Sequence, residues 1–294
     1  MKIGVIGSGA IGLLFSYYLS RKHSVTLYTK GEAQASVIRE KGLSLVRDGE
    51  ILHTSLQAKQ HPSYEEEFLV VTVKQYHLQS IIERLQNSPS KTILFLQNGM
   101  DHLKYLPKLS HHRLLIGVVE HGAMRMNDHT VEQTGIGQSK FASYNEPNHQ
   151  FIHSILNDQI PSFPFKYEEN WYEMMAEKLI VNATINPLTA LLHVKNGALI
   201  ENEYYKVILR ALFEEVFVVL ELKNKEMFWN HVVTICEVTA KNQSSMYKDV
   251  QAKKQTEVEA IVGYVLREAK RLNLQVPHST FLFHAIKGLE VGEE

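Results

Sequence analysis

The chain opens on the stretch that most limits how its first half can fold: Lys2–Gly12, reading KIGVIGSGAIG. Ile3, Val5 and Ile6 make a short apolar run suited to a buried strand. Gly7-Ser8-Gly9-Ala10-Ile11-Gly12 then spells G-x-G-x-x-G, and Leu13, Leu14, Tyr17 and Tyr18 follow at helical spacing. The glycine spacing alone would fit any strand–turn–helix; a strand before it and a helix after it make it a dinucleotide-binding fingerprint. Gly7 permits the tight turn, Gly9 lacks the Cβ that would hold a pyrophosphate away, and Gly12 lets helix and strand pack closely. The phosphates would face the unpaired N–H groups and positive dipole end of the helix. Gly7, Ser8, Gly9, Ala10, Ile11 and Gly12 are therefore candidate cofactor contacts.

Val25-Thr26-Leu27-Tyr28 reads as the second parallel strand, and its end bears on which dinucleotide is bound. An NAD site usually has Asp or Glu there, accepting from the ribose 2′-OH. This chain has Thr29-Lys30-Gly31. A carboxylate would repel a 2′-phosphate and an ammonium attracts it, so NADP(H) is favoured and Lys30 is a candidate contact. Nearby Glu32 keeps NAD(H) as the alternative, and a solvated loop lysine is the plainer reading of Lys30. Further on, Leu43–Val46 and Ile51–Leu56 flank Arg47-Asp48-Gly49-Glu50, the pattern of a hairpin. Phe68–Val73 is a buried strand with Lys74 at its carboxyl end, where ligands collect in open α/β sheets; Lys74 is a candidate contact or a surface lysine. Thr92–Leu96 ends in Gln97-Asn98-Gly99-Met100, a turn whose Asn98 could also bond a carboxamide or hydroxyl. Leu114–Val119 leads into Glu120-His121-Gly122-Ala123, where His121 is either an acid/base or, as such histidines more often are, structural.

From Glu168 onward strand signals stop and helical periodicity takes over, which divides the chain near Tyr167 into residues 1–167 and 168–294. Trp171–Leu192 reads as amphipathic, with a kink or break at Pro187. Lys178, Asn182 and Asn186 recur every four residues; at about 100° per residue they share one face. Asparagine is a poor helix former, so two of them beside a lysine suggest a lined cleft, with a solvated face as the alternative. Of the 294 residues, 44% are hydrophobic, the net charge is −1 and Cys236 is the single cysteine. The charge balance argues against non-specific nucleic-acid binding. No disulfide can form within the chain, which fits a reducing, cytoplasmic setting. No apolar run is long enough to span a bilayer, and neither metal-ligand spacing nor a nucleophile motif is found.

Lys178…Asn182…Asn186-Pro187-Leu188-Thr189-Ala190 followed by Asn196-Gly197 resembles the signature of ketopantoate reductases (2-dehydropantoate 2-reductases). Asn242-x-Ser244-Ser245-Met246 and Thr256-Glu257, with Gly263 after them, resemble the family's second signature, and GSGAIG and Asn98-Gly99 fall where the family has them. The resemblance implies a doubly wound, mostly parallel Rossmann domain followed by an all-α domain like the C-terminal domain of 6-phosphogluconate dehydrogenase. It also implies NADPH and a small 2-oxo acid bound in the cleft between them, with a homodimer possible. It puts the general acid on Lys178 and substrate contacts on Asn98, Asn182, Asn186, Asn196, Ser245 and Lys178 itself. Glu257 falls near the cofactor and the reacting centre, Asn98 on both ligands, Ala123 on the cofactor through its backbone, and Lys30 and Lys74 near the cofactor. Ser245 has a second reading as a helix N-cap, and Glu257 one as a helix-surface carboxylate. His193-Val194-Lys195 and Ala198 depart from the family's usual residues and bear on substrate preference. The implied reaction is reduction of 2-dehydropantoate to (R)-pantoate for pantothenate and coenzyme A synthesis. The alternatives are a reductase of another bulky 2-oxo acid and a nucleotide-binding sensor without turnover.

Overall fold

The computed structural model describes residues 1–60 and 63–291. They form two compact units: Met1–Gln97 with Leu103–Met174, and Asn98–His102 with Met175–Glu294. Among the described residues no helix is long and apolar enough to cross a membrane.

The strands of the first unit are β1 (Lys2–Ile6), β2 (Ser24–Tyr28), β3 (Leu43–Arg47), β4 (Glu50–Thr54), β5 (Gln57–Lys59), β6 (Phe68–Val71), β7 (Thr92–Phe95), β8 (Arg113–Val119), β9 (Gly122–Arg125), β10 (Thr130–Gly135), β11 (Ser139–Ser143) and β12 (Phe165–Tyr167). Its helices are α1 (Ala10–Ser20), α2 (Glu32–Lys41), α3 (Leu78–Gln86) and α4 (His149–Asn157). Eight strands form one sheet in the order β12-β11-β8-β7-β6-β1-β2-β5. Every neighbouring pair is parallel except β11 with β8. The chain leaves β1 towards β2 on one side and later returns to β6 on the other, so the strand order reverses at β1. In such sheets the ligand crevice opens at that point, outside the carboxyl ends of the strands.

A second sheet, β4-β3-β10-β9, is not visible as a separate layer in the sequence pattern. Its β3–β4 hairpin turns through Asp48 (φ 53°) and Gly49 (φ 81°), the two positive angles that a tight primed turn requires. This sheet covers the side of α1 turned away from the first sheet, and α1 touches β1 and β2 as well as β3, β9 and β10. Gly12–Leu19 are consequently all buried, whereas a surface helix would bury one stripe. The aromatic core packs beside it: Phe163 stacks on Tyr18 (ring centroids 4.4 Å apart) and meets Phe15 edge-on (4.9 Å).

The second unit is helical: α5 (Trp171–Leu192), α6 (Ala198–Glu201), α7 (Glu203–Val219), α8 (Lys225–Val238), α9 (Ser245–Gln251), α10 (Val258–Arg271) and α11 (Pro277–Val291). The division between units falls inside α5, whose first residue Trp171 packs on Tyr144 (5.1 Å) in the first unit, beyond the Tyr167 of the sequence reading. Two expectations for α5 are corrected. The helix is buried all round over Leu179–Ala190 rather than amphipathic. Of the kink or break expected at Pro187, the break is absent, and the helix continues through the proline. The Thr189 hydroxyl donates to the carbonyls of Ile185 (2.8 Å) and Asn186 (3.1 Å), an additional tie within the turn that holds the proline.

Candidate active site

In the first unit the predicted cofactor residues gather at the carboxyl ends of β1, β2 and β6. Gly7 has φ +111°, and an added Cβ would lie 2.9 Å from the Val73 nitrogen. A Cβ on Gly12 would lie 1.8 Å from the Gly7 carbonyl oxygen, so only glycine lets α1 start this close to the strand end. Thr72, missed in the sequence, fixes the same turn by donating its hydroxyl to the carbonyls of Ile6 (3.1 Å) and Gly7 (3.0 Å). Gly9, the N-cap residue of α1, differs from both: its ideal Cβ would meet nothing within 4 Å. Helix α1 has no side-chain cap and no acidic residue in its first turn. Its first N–H groups have no acceptor within the helix. Open space beside an uncapped, positively polarised helix end is what a dinucleotide pyrophosphate fills, so these residues fit the cofactor.

Lys30 is exposed just beyond β2, and Lys74 is half-buried just beyond β6. Burial, with a smaller contribution from the Lys30 ammonium, holds the His77 imidazole below its usual value. Glu32, the residue that kept NAD(H) open, is engaged elsewhere, since Arg39 Nη2 donates to its carboxylate at 2.5 Å. Ala123 lies in β9, paired with Gln133 of β10, and is half-buried against the core around α1. His121 is no acid/base in this structure. It stacks on Phe163 (4.5 Å) and accepts the Gly137 N–H at Nδ1 (3.1 Å), and burial lowers its pKa to about 4.

The remaining predicted residues belong to the helical unit. Asn98 is the least expected of them, since it follows a strand of the first unit. The Asn98–Gly99 turn lies against the start of α10: Gly99 has φ +74°, its Cβ position falls 2.1 Å from the Ala260 carbonyl oxygen, and Met100 N–H donates to that oxygen (3.3 Å). This brings Asn98 Nδ2 to Glu257 Oε2 at 2.9 Å, joining two predicted residues 159 positions apart. Glu257 is half-buried immediately before α10, not on an exposed helix face.

On α5, Lys178 is half-buried while Asn182 and Asn186 are each only 8% exposed, which rules out a solvated face. Neither asparagine side chain makes a hydrogen bond among the described residues. Their amide atoms are not among the fully buried polar atoms, so they open to solvent and are accessible to a ligand. Asn196 is buried, with Nδ2 donating to Thr239 (2.9 Å) and Oδ1 without a partner among the described residues. Its backbone N–H donates to the Asn242 carbonyl (3.1 Å), so the Asn196–Gly197 turn lies along the segment that leads to α9. The N-cap of α9 is Ser244, not Ser245: Ser244 Oγ accepts the Tyr247 N–H (3.0 Å) and lies in hydrogen-bond contact with Thr189 Oγ1 (2.8 Å). Ser245, released from capping, is the exposed first residue of α9. The Thr189–Ser244 bond ties α5 to the start of α9, and separate bonds from Asn196 to Thr239 and Asn242 fix its turn beside the same segment.

Comparisons with known proteins identify the family. Residues 3–146 match the family model "Ketopantoate reductase PanE/ApbA" and residues 170–290 its C-terminal counterpart. A 2-dehydropantoate 2-reductase of Bacillus subtilis (strain 168) is 42% identical over 292 residues, covering 99% of this chain and 98% of that one. A solved structure described as a probable 2-dehydropantoate 2-reductase from Bacillus subtilis superimposes with a TM-score of 0.93 at 41% identity, covering 99% of this chain and all of that one. A D-mandelate dehydrogenase with NADH and anilino(oxo)acetate shares the fold at 20% identity (TM-score 0.88, 99% of each chain). By both family models and by its full-length relatives, the chain belongs to the ketopantoate reductase family.

Proposed function

We propose that the chain is an NADPH-dependent ketopantoate reductase acting in the cytoplasm, converting 2-dehydropantoate to (R)-pantoate on the route to pantothenate and coenzyme A. The observation that carries the reading is the helical unit's polar set: Lys178, Asn182 and Asn186 on one face of α5, with Asn98 hydrogen-bonded to Glu257. NADP(H) over NAD(H) is supported by Lys30 at the end of β2, by the lack of a carboxylate at residues 29–31 and by the engagement of Glu32 with Arg39.

Bound NADPH supplies the hydride that reduces the 2-oxo carbon. Charge then builds on the carbonyl oxygen, and the Lys178 ammonium stabilises it and donates the proton. Asn182, Asn186, Asn196 and Ser245 offer neutral donors and acceptors for the carboxylate and hydroxyl of a small polar acid. Asn98 holds Glu257 in place through its amide and has its carbonyl oxygen left for a ligand. Lys74 and the backbone of Ala123 complete the cofactor contacts. The exposed apolar row Tyr204, Val207 and Ile208 on α7 is the face on which two copies would pair; a purely monomeric sedimentation profile would argue against it.

The test is a ranking of 2-oxo acids by kcat/KM with NADPH and with NADH. Ketopantoate with NADPH should stand at least about tenfold above the others, a difference of about 1.4 kcal/mol in transition-state binding. Preference for a different 2-oxo acid would move the assignment to a paralogous reductase. Tight NADPH binding without turnover on any of them would make the chain a sensor.

A further inference from the structure

Three elements of the first unit meet at Ser8, in the glycine turn, and the sequence pattern assigned a role to only one of them. Gln34, in the first turn of α2, accepts from Ser8 Oγ at 2.6 Å and donates to the Ser8 carbonyl at 3.2 Å and to the Asp128 carbonyl at 2.9 Å. Arg125, the last residue of β9, donates from Nη1 to the same Ser8 carbonyl at 3.4 Å and from Nε to the Asn127 carbonyl at 3.1 Å. Its Nη2 pairs with the Asp128 carboxylate. A guanidinium has five N–H donors in a planar fork, so two remain without an acceptor among the described residues.

We propose that Arg125 is a second cationic contact, besides Lys30, for the 2′-phosphate of NADP(H), and so a determinant of cofactor choice. The assignment rests on the NADP(H) reading above. Gln34 marks the side of the glycine turn on which Arg125 lies: it links Ser8 to the first turn of α2, directly after the β2 end where dinucleotide folds contact the 2′ position of the ribose. An arginine near that position accommodates a 2′-phosphate through its fork of parallel donors. Of the nearby carboxylates, Glu32 is engaged by Arg39, while Asp128 shares Arg125 at a half-exposed position. A doubly charged phosphate would compete with the single Asp128 carboxylate for the guanidinium, and Lys30 adds charge from the β2 side.

The experiment is titration calorimetry of the full chain with 2′,5′-ADP and 5′-ADP, repeated with NADPH and NADH, none of which requires turnover. Arg125→Gln removes the charge but keeps an amide able to reach the Ser8 carbonyl. It should weaken 2′,5′-ADP and NADPH by about 10–100-fold, the range for a charge-assisted hydrogen bond, and leave 5′-ADP and NADH within about twofold. Asp128→Asn keeps the backbone carbonyl that Gln34 uses and frees the guanidinium, and should tighten 2′,5′-ADP by about threefold. Equal losses for both nucleotides, or an unchanged ratio in Arg125→Gln, would overturn the assignment. So would Asp128→Asn weakening 2′,5′-ADP, an arm that stands even if the arginine variant fails to fold. Wild-type protein without preference for 2′,5′-ADP would overturn the NADP(H) reading and this assignment together. A preference that Arg125→Gln leaves undiminished overturns this assignment alone.

Discussion

Gly99 ties the turn that carries Asn98 to the helix that starts after Glu257, and Gly99→Ala should break that tie at a cost set by two separable effects. At φ +74° an alanine is in the left-handed region, which costs about 1–2 kcal/mol. Its Cβ would also stand 2.1 Å from the Ala260 carbonyl oxygen and 2.6 Å from the carbonyl carbon, both backbone atoms of a packed helix. Withdrawing the turn to relieve such overpacking adds about 1–3 kcal/mol. The total is about 2–5 kcal/mol. Gly49 supplies an internal control: its φ is +81°, but its Cβ would meet nothing within 4 Å, so Gly49→Ala carries the conformational cost alone. Urea denaturation of the whole chain followed by circular dichroism should place Gly99→Ala about 2 kcal/mol below Gly49→Ala. The same withdrawal moves Asn98 off Glu257, so kcat/KM should fall on the order of tenfold in Gly99→Ala and hold in Gly49→Ala. If the two variants agree within about 0.5 kcal/mol, the close packing of the turn on α10 contributes nothing and the reasoning fails.

Two further outcomes concern acid. His121 has a folded pKa near 4 against 6.5 for the free side chain because burial disfavours its charged form. The unfolded chain therefore takes up the proton first. Stability that is fully present above about pH 6.5 is lost as pH falls towards 4, and His121→Phe should make that part of the stability–pH curve shallower, leaving the fall that the likewise buried His102 contributes. Glu290 titrates below its ordinary 4.5: burial raises its pKa, but Lys287 and both donors of Thr256 (N–H 2.8 Å, Oγ1 2.6 Å) outweigh that. Its contribution is present above pH 4.5 and lost as pH falls through the depressed folded value, so Glu290→Gln should lose stability at neutral pH and show a shallower fall below 4.5.

Much of the first unit was legible because its signals are local. The β1–glycine turn–α1 segment, the Asp48-Gly49 hairpin and the apolar runs of β6, β7 and β8 each carry their own period or turn chemistry. The second sheet was not legible as a layer, because pairing β10 with β3 joins residues that no local pattern relates. That omission also hid why α1 is buried on all sides, and why Gln34 and Arg125 meet at Ser8. In the helical unit the four-residue spacing of Lys178, Asn182 and Asn186 was readable, but their burial was not, because spacing cannot tell a lined cleft from a solvated face. At Pro187 the local rule predicts a kink or a break, and the helix runs through the proline without a break. Ser245 and Ser244 are neighbours, and only the structure decides which of them caps α9. Asn98-Gly99 was readable as a turn, while its attachment to Glu257 depends on the helix 159 positions away.

On the proposed function, the Lys178 ammonium protonates the carbonyl oxygen of a 2-oxo acid while NADPH is consumed. The measurement that meets it most directly is the loss of NADPH absorbance with saturating ketopantoate, in wild type and in Lys178→Ala, with NADPH affinity measured on both. The account predicts that kcat falls by about 10²–10⁴-fold in the variant, the range for a general acid, with the NADPH dissociation constant unchanged. Wild-type turnover in Lys178→Ala, or no NADPH oxidation by the wild type, would contradict it.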